Sequence, residues 1–169
     1  MRRVLVLFLT LLLLWAGVAQ VNDLLAPAHV SVFAGGLFVA YAALFLPLGE
    51  GLPASLLAGA VCDAHAPVRF GTLVLLFAAA HVLLFAWRDR LPHDQPAGRL
   101  GLVLLANLAL FLALSGLAAG PLPAHAGRWP RLATDLAASE LFVALVSAWF
   151  FALQEQALAL LPPDPERMF

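Results

Sequence analysis

Long apolar runs, separated by short polar breaks, dominate the sequence and restrict it to a membrane fold. The first run extends from Val4 to about Val21, which is close to the minimum length of a bilayer-spanning helix. Of the 169 residues, 63% are hydrophobic and only 11% are charged. A soluble domain carries about a quarter charged residues, so this chain has too few charges to cover a surface in water. The sequence therefore predicts an all-α membrane protein whose main solvent is lipid.

We predict about six transmembrane helices in a single domain over residues 1–161, followed by a short polar tail at 162–169. The apolar segments are 4–21, 30–48, 52–66, 70–87, 100–120 and 132–153. The first segment has the basic start and small-residue ending of a signal peptide. Because further membrane segments follow it, and not a secreted domain, we predict an uncleaved first helix.

The third segment is short for a membrane span. As an α-helix it rises about 22 Å, whereas the hydrocarbon core is about 30 Å thick, so it either crosses a thinned region or re-enters. Arginine placement favours crossing, because arginines concentrate on the cytoplasmic side. With six spans and both termini cytoplasmic, the inner arginines are Arg2, Arg3, Arg88, Arg90, Arg99 and Arg167, and the outer ones are Arg69, Arg128 and Arg131.

The charged residues and the cysteine do not suggest nucleic acid, metal or cofactor binding. The nine basic residues are scattered, so no basic patch predicts a nucleic-acid partner. Cys62 is the single cysteine and has no internal disulfide partner. On a helix, the side chains of Cys62, Asp63 and His65 point in directions that spread over about 300° around the axis, so they do not converge on one ion. We therefore expect no metal and no cofactor.

The sequence does not favour a catalytic function. Asp63 with His65 or His81 is the best available dyad, since ionisable groups inside a membrane are often functional. Ser55, Ser115, Ser139 and Ser147 lie singly, however, and none stands in a Gly-x-Ser-x-Gly turn. We therefore predict that the chain is not an enzyme, and that His81 and Asn107 are hydrogen-bonded residues facing the bundle.

The last segment carries two acids. Asp135 and Glu140 are about 140° apart around a helix axis, so they do not form an acid–base pair. Asp135 lies one turn after Arg131, which predicts a surface ion pair. Glu140 lies inside the span, and we expect it to need a partner and to mark a position that a partner protein or ligand contacts. Candidate partners within the chain are His125, Arg128 and Asn107.

Asp63 is most simply explained as part of a corner between two helices. Ser55, Gly59 and Asp63 are four residues apart and share one helix face, and such small residues let helix backbones approach closely. Asp63 is then placed to accept hydrogen bonds from backbone N–H groups or to pair with Arg69. Gly71 permits tight packing where the next helix begins.

The pattern Gly59-x3-Asp63-x7-Gly71 resembles the signature of the MreD family of rod-shape-determining membrane proteins. That family typically has a glycine-rich third helix ending in GxxxD, followed by a short break and a long apolar helix. The resemblance covers most of the chain. It departs at Ala66-Pro67, where Ser-Gly is usual, at Arg69, where a neutral residue is commoner, and in the tail, which is not strongly basic.

The resemblance implies a non-enzymatic scaffold of the bacterial inner (cytoplasmic) membrane that serves cell elongation. MreD-like proteins act beside MreC, a bitopic membrane protein, the MreB filaments, and the peptidoglycan synthase formed by RodA and a class B penicillin-binding protein. The implied architecture is similar to that of the substrate-binding components of energy-coupling-factor vitamin transporters. The candidate structural or partner-binding residues are Gly59, Asp63, Arg69, Gly71 and Glu140.

A second function stays open, namely the substrate-binding membrane component of a vitamin or metal transporter. Such components bind ligands through polar and aromatic residues near the outer face. Tyr41 is the single tyrosine here, and the predicted outer loops contain few polar side chains. This composition argues against a dedicated pocket.

Overall fold

A computed structural model describes residues 2–66, 68–90, 95–119 and 128–160. In that part of the chain all regular secondary structure is helical, which confirms the predicted all-α class. The predicted tail at 162–169 lies outside the described residues. The helices are α1 (Arg2–Leu25), α2 (Gly35–Phe45), α3 (Leu48–Asp63), α4 (Thr72–Trp87), α5 (Pro96–Ala119) and α6 (Arg128–Ala159).

Four of these described helices are long and apolar enough to cross a membrane, where the sequence predicts six spans. The four candidate spans are Val4–Ala28, Thr72–Arg90, Pro96–Ala118 and Trp129–Ala159. Helices α2 and α3 have 11 and 16 residues, which corresponds to about 16 and 24 Å. The architecture is therefore that expected of an α-helical membrane protein, with two shorter helices among four long ones.

Helix α2 is shorter than the predicted segment 30–48 because it is bounded at both ends. Residues 30–34 are not helical, and their β-branched Val30 and Val32 are poor helix formers. At the other end, Leu46 is extended, with φ −111° and ψ 153°, because the residue before a proline is disfavoured in the helical region. Pro47 thus separates α2 from α3.

Helix α2 lies at the centre of the bundle. All its residues from Gly36 to Leu44 are buried, and it packs against α3, α4, α5 and α6. A helix that is apolar on every side is expected in such a position. The long helices instead expose leucines on their outer faces, which suits contact with lipid: Leu9, Leu75, Leu105 and Leu145 are each more than half exposed.

Four contacts place one end of each of the four long helices together, and in one of them the Arg99 guanidinium lies 4.7 Å from the ring of Phe45, which precedes Leu46. Gln154 near the end of α6 donates to Thr10 in the first half of α1, at 2.7 Å. Arg99 at the start of α5 lies 3.4 Å from Glu155 of α6. Arg88, which follows α4, donates to the Leu46 carbonyl at 3.4 Å. We call this end of the bundle the arginine end.

At the opposite end of the bundle, the end of α1, the end of α3 and the start of α4 lie close together. The rings of Trp15 and His65 approach there to 4.4 Å between centroids. A cavity opens at this end, and we call it the cavity end. The chain therefore leaves α1 at the cavity end, reaches the arginine end through α2, and returns through α3.

Candidate functional site

The corner between α3 and α4 is held by the carboxylate of Asp63. Its Oδ2 accepts hydrogen bonds from the N–H groups of Gly71 at 2.8 Å and Val74 at 3.1 Å, and its Oδ1 accepts one from Leu73 at 2.9 Å. The first N–H groups of a helix have no partner within the helix, and the helix dipole favours a negative charge at this position. The predicted bonding of Asp63 to backbone is confirmed.

Arg69 does not share this role. Its side chain is exposed, and within the described part of the chain it forms no ion pair with Asp63, whose printed hydrogen bonds all go to backbone N–H groups. The contribution of Arg69 to the corner comes from its backbone carbonyl, which accepts from the Thr72 hydroxyl at 2.7 Å. The alternative prediction of an Asp63–Arg69 pair is therefore wrong.

Two glycines are required by the geometry of the corner. Gly71 has φ +98°, a left-handed conformation that glycine adopts without steric cost. Gly59 lies where α3 and α4 touch: an added Cβ would stand 2.6 Å from the Val74 Cα and 2.8 Å from the Leu73 carbonyl oxygen. Gly59 thus sets the distance between the helices, and Gly71 sets the path by which the chain enters α4.

The small-residue stripe of α3 extends one turn further than predicted. Ser55 Oγ lies 2.9 Å from His81 Nδ1, and both residues are fully buried. An added Cβ at Gly51 would stand 2.6 Å from His81 Cε1 and 2.7 Å from the Ala42 carbonyl oxygen. His81 is a bundle-facing, hydrogen-bonded residue, as predicted. Gly51 was not predicted to belong to this stripe, although it lies four residues before Ser55 in the sequence.

Asn107 of α5 is the polar centre of the bundle. Its Oδ1 accepts from the Gly36 N–H at 3.1 Å, and its Nδ2 donates to the Phe33 carbonyl at 3.1 Å and to Glu140 Oε1 at 3.2 Å. Asn107 is fully buried. The prediction that Asn107 joins helices is confirmed, and Asn107 bonds Glu140 as one of the three candidates. The other two, His125 and the Arg128 side chain, lie outside the described residues.

The non-helical segment 30–34 is held at its backbone by side chains of other helices. Asn22 of α1 bonds Val32 twice, accepting from its N–H at 2.6 Å and donating to its carbonyl at 3.1 Å. Asp135 Oδ1 of α6 accepts from the Ser31 N–H at 2.8 Å. In a membrane protein, backbone outside helices needs such partners because lipid supplies none.

Ser139 completes this set, and its contact shows which way α6 faces. Its Oγ accepts from the Phe33 N–H at 2.9 Å, so Ser31, Val32 and Phe33 each donate to a side chain. Asp135, one turn before Ser139, is only 7% exposed. The prediction of a surface ion pair between Asp135 and Arg131 is therefore wrong, because the carboxylate faces segment 30–34.

A cavity of about 660 Å³ adjoins segment 30–34 at the cavity end of the bundle. This volume is within the range of small-molecule sites, which is roughly 300–1,000 Å³. Its polar wall contains Asn22, Asp23, Ser31 and Asp135. Its apolar wall includes the rings of Trp15, Phe33, Phe38, Phe77 and Phe111. Helix residues build most of these walls, and not the outer loops, in which few polar side chains were predicted.

Metal binding has little support from the described residues, in which no group of three or more His, Cys, Asp or Glu is close enough to hold an ion. Comparison with known proteins returned no matching family model, no matching curated protein and no matching solved structure. The two features on which function can be argued are thus the α3–α4 corner and the cavity.

Proposed function

We propose that the chain is an MreD-like scaffold of the bacterial inner membrane, without enzymatic activity. It binds the transmembrane helix of an MreC-like partner, and through this partner it associates with the RodA and penicillin-binding synthase and with MreB filaments. The α3–α4 corner carries the proposal. Each residue of the pattern that resembles MreD, namely Gly59, Asp63 and Gly71, has a distinct geometrical role in that corner.

The corner fixes the orientation of α4, and α4 offers a face for a partner helix. Leu75, Ala79 and Leu83 are four residues apart and exposed, so they form one outward stripe, which we call the α4 face. A small residue between two leucines allows close approach of another helix. We propose that the α4 face docks the transmembrane helix of the MreC-like protein.

Replacing Ala79 by tryptophan is expected to weaken binding of the MreC-like partner at least tenfold, because the large ring separates the helices. Ala148→Trp is the matched control, since Ala148 is an exposed alanine on α6. Affinity is measured with both purified proteins in lipid nanodiscs. Both variants should keep the wild-type Tm. Equal affinities of the two variants would show that the α4 face is not the docking surface.

We further propose that all six helices traverse the membrane, with both termini cytoplasmic. The arginine end supports this topology, because Arg88 and Arg99 lie there with the first half of α1 and the end of α6. Concentration of arginines at one end favours that end as cytoplasmic. Helix α2 together with segment 30–34 extends from the cavity end towards the arginine end, and α3 returns.

Single cysteines test this topology in a Cys62→Ser background. In intact spheroplasts a membrane-impermeant maleimide is expected to label Asp23→Cys and to leave Asp89→Cys and Gly49→Cys unlabelled until the membrane is permeabilised. All three positions are exposed. Gly49 lies in the first turn of α3, so labelling of Gly49→Cys from outside would contradict the crossing of the membrane by these two helices.

The second candidate function, the ligand-binding membrane component of a transporter, is favoured by the cavity. Its volume and its mixture of apolar and polar walls suit a small molecule. Binding of a ligand by the native state raises thermal stability. A rise in Tm with a vitamin would therefore favour the transport component, whereas affinity for the MreC-like partner tests the scaffold.

A further inference from the structure

The cavity contains a carboxylate that the fold uses only in part. Asp135 lines the cavity and is 7% exposed. Its Oδ1 accepts from the Ser31 N–H at 2.8 Å, whereas Oδ2 forms no hydrogen bond or ion pair with any described residue. A buried charge is costly unless it is paired, so a donor that enters the cavity gains a strong interaction with Oδ2.

The charge of the lining favours a cation. Asp23 and Asp135 both line the cavity, and among the described lining residues none is an arginine and His65 is the one histidine. Asp23 is exposed, whereas Asp135 is buried. A cleft with one sign of charge and low-dielectric walls concentrates ions of the opposite sign. A positively charged group is thus attracted to the opening and stabilised at Asp135.

The remaining walls favour an apolar body attached to that charge. Five aromatic residues line the cavity, from Trp15 of α1 to Phe111 of α5. Aromatic rings bury large apolar areas, and their faces attract cations. An inorganic cation would gain little from these walls, and a neutral apolar molecule would leave Asp135 Oδ2 without a partner.

We propose that this cavity binds an organic amine, whose protonated amino group pairs with Asp135 Oδ2 and whose apolar body packs against the aromatic wall. The amine belongs to a free small molecule or to the headgroup of phosphatidylethanolamine. This site goes beyond the scaffold function and does not depend on it, because neither Asp63 nor any residue of the α4 face lines the cavity.

Thermal unfolding of the full chain in detergent tests the site with tryptamine, 2-phenylethylamine and dodecylamine. Each amine is compared with the alcohol of the same skeleton, which lacks the positive charge. We expect at least one amine to raise Tm with saturable concentration dependence and its alcohol to have no effect at the same concentrations. If no amine exceeds its alcohol and the lipid comparison below is also negative, the proposal is overturned.

Asp135→Asn removes the charge but keeps an oxygen that accepts from the Ser31 N–H. This variant is expected to weaken amine binding at least tenfold, whereas Asp89→Asn, at the arginine end, leaves it unchanged. If Asp135→Asn does not fold, Leu132→Trp is used instead. Its large ring fills the cavity from α6 and is likewise expected to weaken amine binding at least tenfold. Wild-type affinity in a folded Asp135→Asn variant, or in Leu132→Trp where that variant fails to fold, overturns the proposal.

A lipid comparison separates the two sources of the amine. Nanodiscs of phosphatidylethanolamine are compared with nanodiscs of phosphatidylglycerol, for the wild type and for Asp135→Asn. Stabilisation by phosphatidylethanolamine that is lost in the variant assigns the site to the lipid headgroup. Stabilisation by free amines alone assigns it to a soluble ligand.

Discussion

Replacement of Gly36 by alanine is expected to prevent α2 from packing in the bundle. An added Cβ at Gly36 would overlap the Asn107 Cα and backbone nitrogen. These atoms belong to the backbone of α5, which cannot move aside as a flexible side chain can. The substitution therefore requires α2 and α5 to separate along their contact.

Separation also breaks a hydrogen-bond network. The Gly36 N–H donates to Asn107 Oδ1, and the same side chain bonds Phe33 and Glu140. Overpacking a core costs about 1–3 kcal/mol, and each buried polar group left without a partner costs about 1–3 kcal/mol. The combined loss is a large fraction of the roughly 5–15 kcal/mol that stabilises a native domain.

Size-exclusion chromatography in detergent and thermal unfolding measure this effect. We expect Gly36→Ala to lose the monodisperse peak and the cooperative transition of the wild type. Gly101→Ala is the control, because Gly101 lies in α5 and an added Cβ there meets nothing within 4 Å. Its Tm should equal or exceed that of the wild type, since alanine favours a helix over glycine. Equal Tm values for the two variants would contradict the close contact.

The parts of the structure that were predicted from the sequence depend on short separations along the chain. Asp63 bonds groups 8 to 11 residues away, and the small residues of α3 recur every four residues. Such spacing identifies a helix face, and a following proline and glycine identify a corner. The corner is therefore predictable from the sequence.

The parts that were missed depend on contacts between distant residues. Asp135 bonds Ser31 across 104 positions, whereas the pairing inferred for it was with Arg131 in its own helix. Local spacing identifies neighbours on one helix, but it does not show which face of that helix is buried. The cavity was missed for the same reason, because residues of several helices form its walls.

Four described helices are long and apolar enough to span a membrane, fewer than the six predicted spans, because hydropathy measures apolarity and not conformation. Segment 30–34 is as apolar as the helix that follows it, yet its backbone is held by Asn22, Asp135 and Ser139. A central helix such as α2 is also as apolar as one that faces lipid. Only tertiary contacts distinguish these two environments.

Replacement of Asp63 by alanine is expected to destabilise the chain by several kcal/mol. Three N–H groups at the start of α4 lose their acceptor, and a hydrogen bond to a charged group contributes about 1.5–3 kcal/mol. The stability of Asp63→Asn is expected to be intermediate. The amide oxygen still accepts hydrogen bonds, whereas the NH2 group that replaces the other oxygen is a donor and faces backbone N–H donors. Thermal unfolding in detergent measures all of these changes.

Arg69→Ala is the control for the Asp63 variants, because the Arg69 side chain is exposed in the same corner and the bond that Thr72 donates goes to the Arg69 backbone carbonyl, which alanine keeps. Its Tm should match the wild type, and an Asp63→Ala variant with that same Tm would contradict the capping role.

The Asp63 variants also distinguish stability from partner binding. Asp63→Ala should lower Tm and weaken binding of the MreC-like protein together, since α4 loses its fixed start. Ala79→Trp should weaken binding at an unchanged Tm, so the two variants separate the support of the α4 face from the face itself.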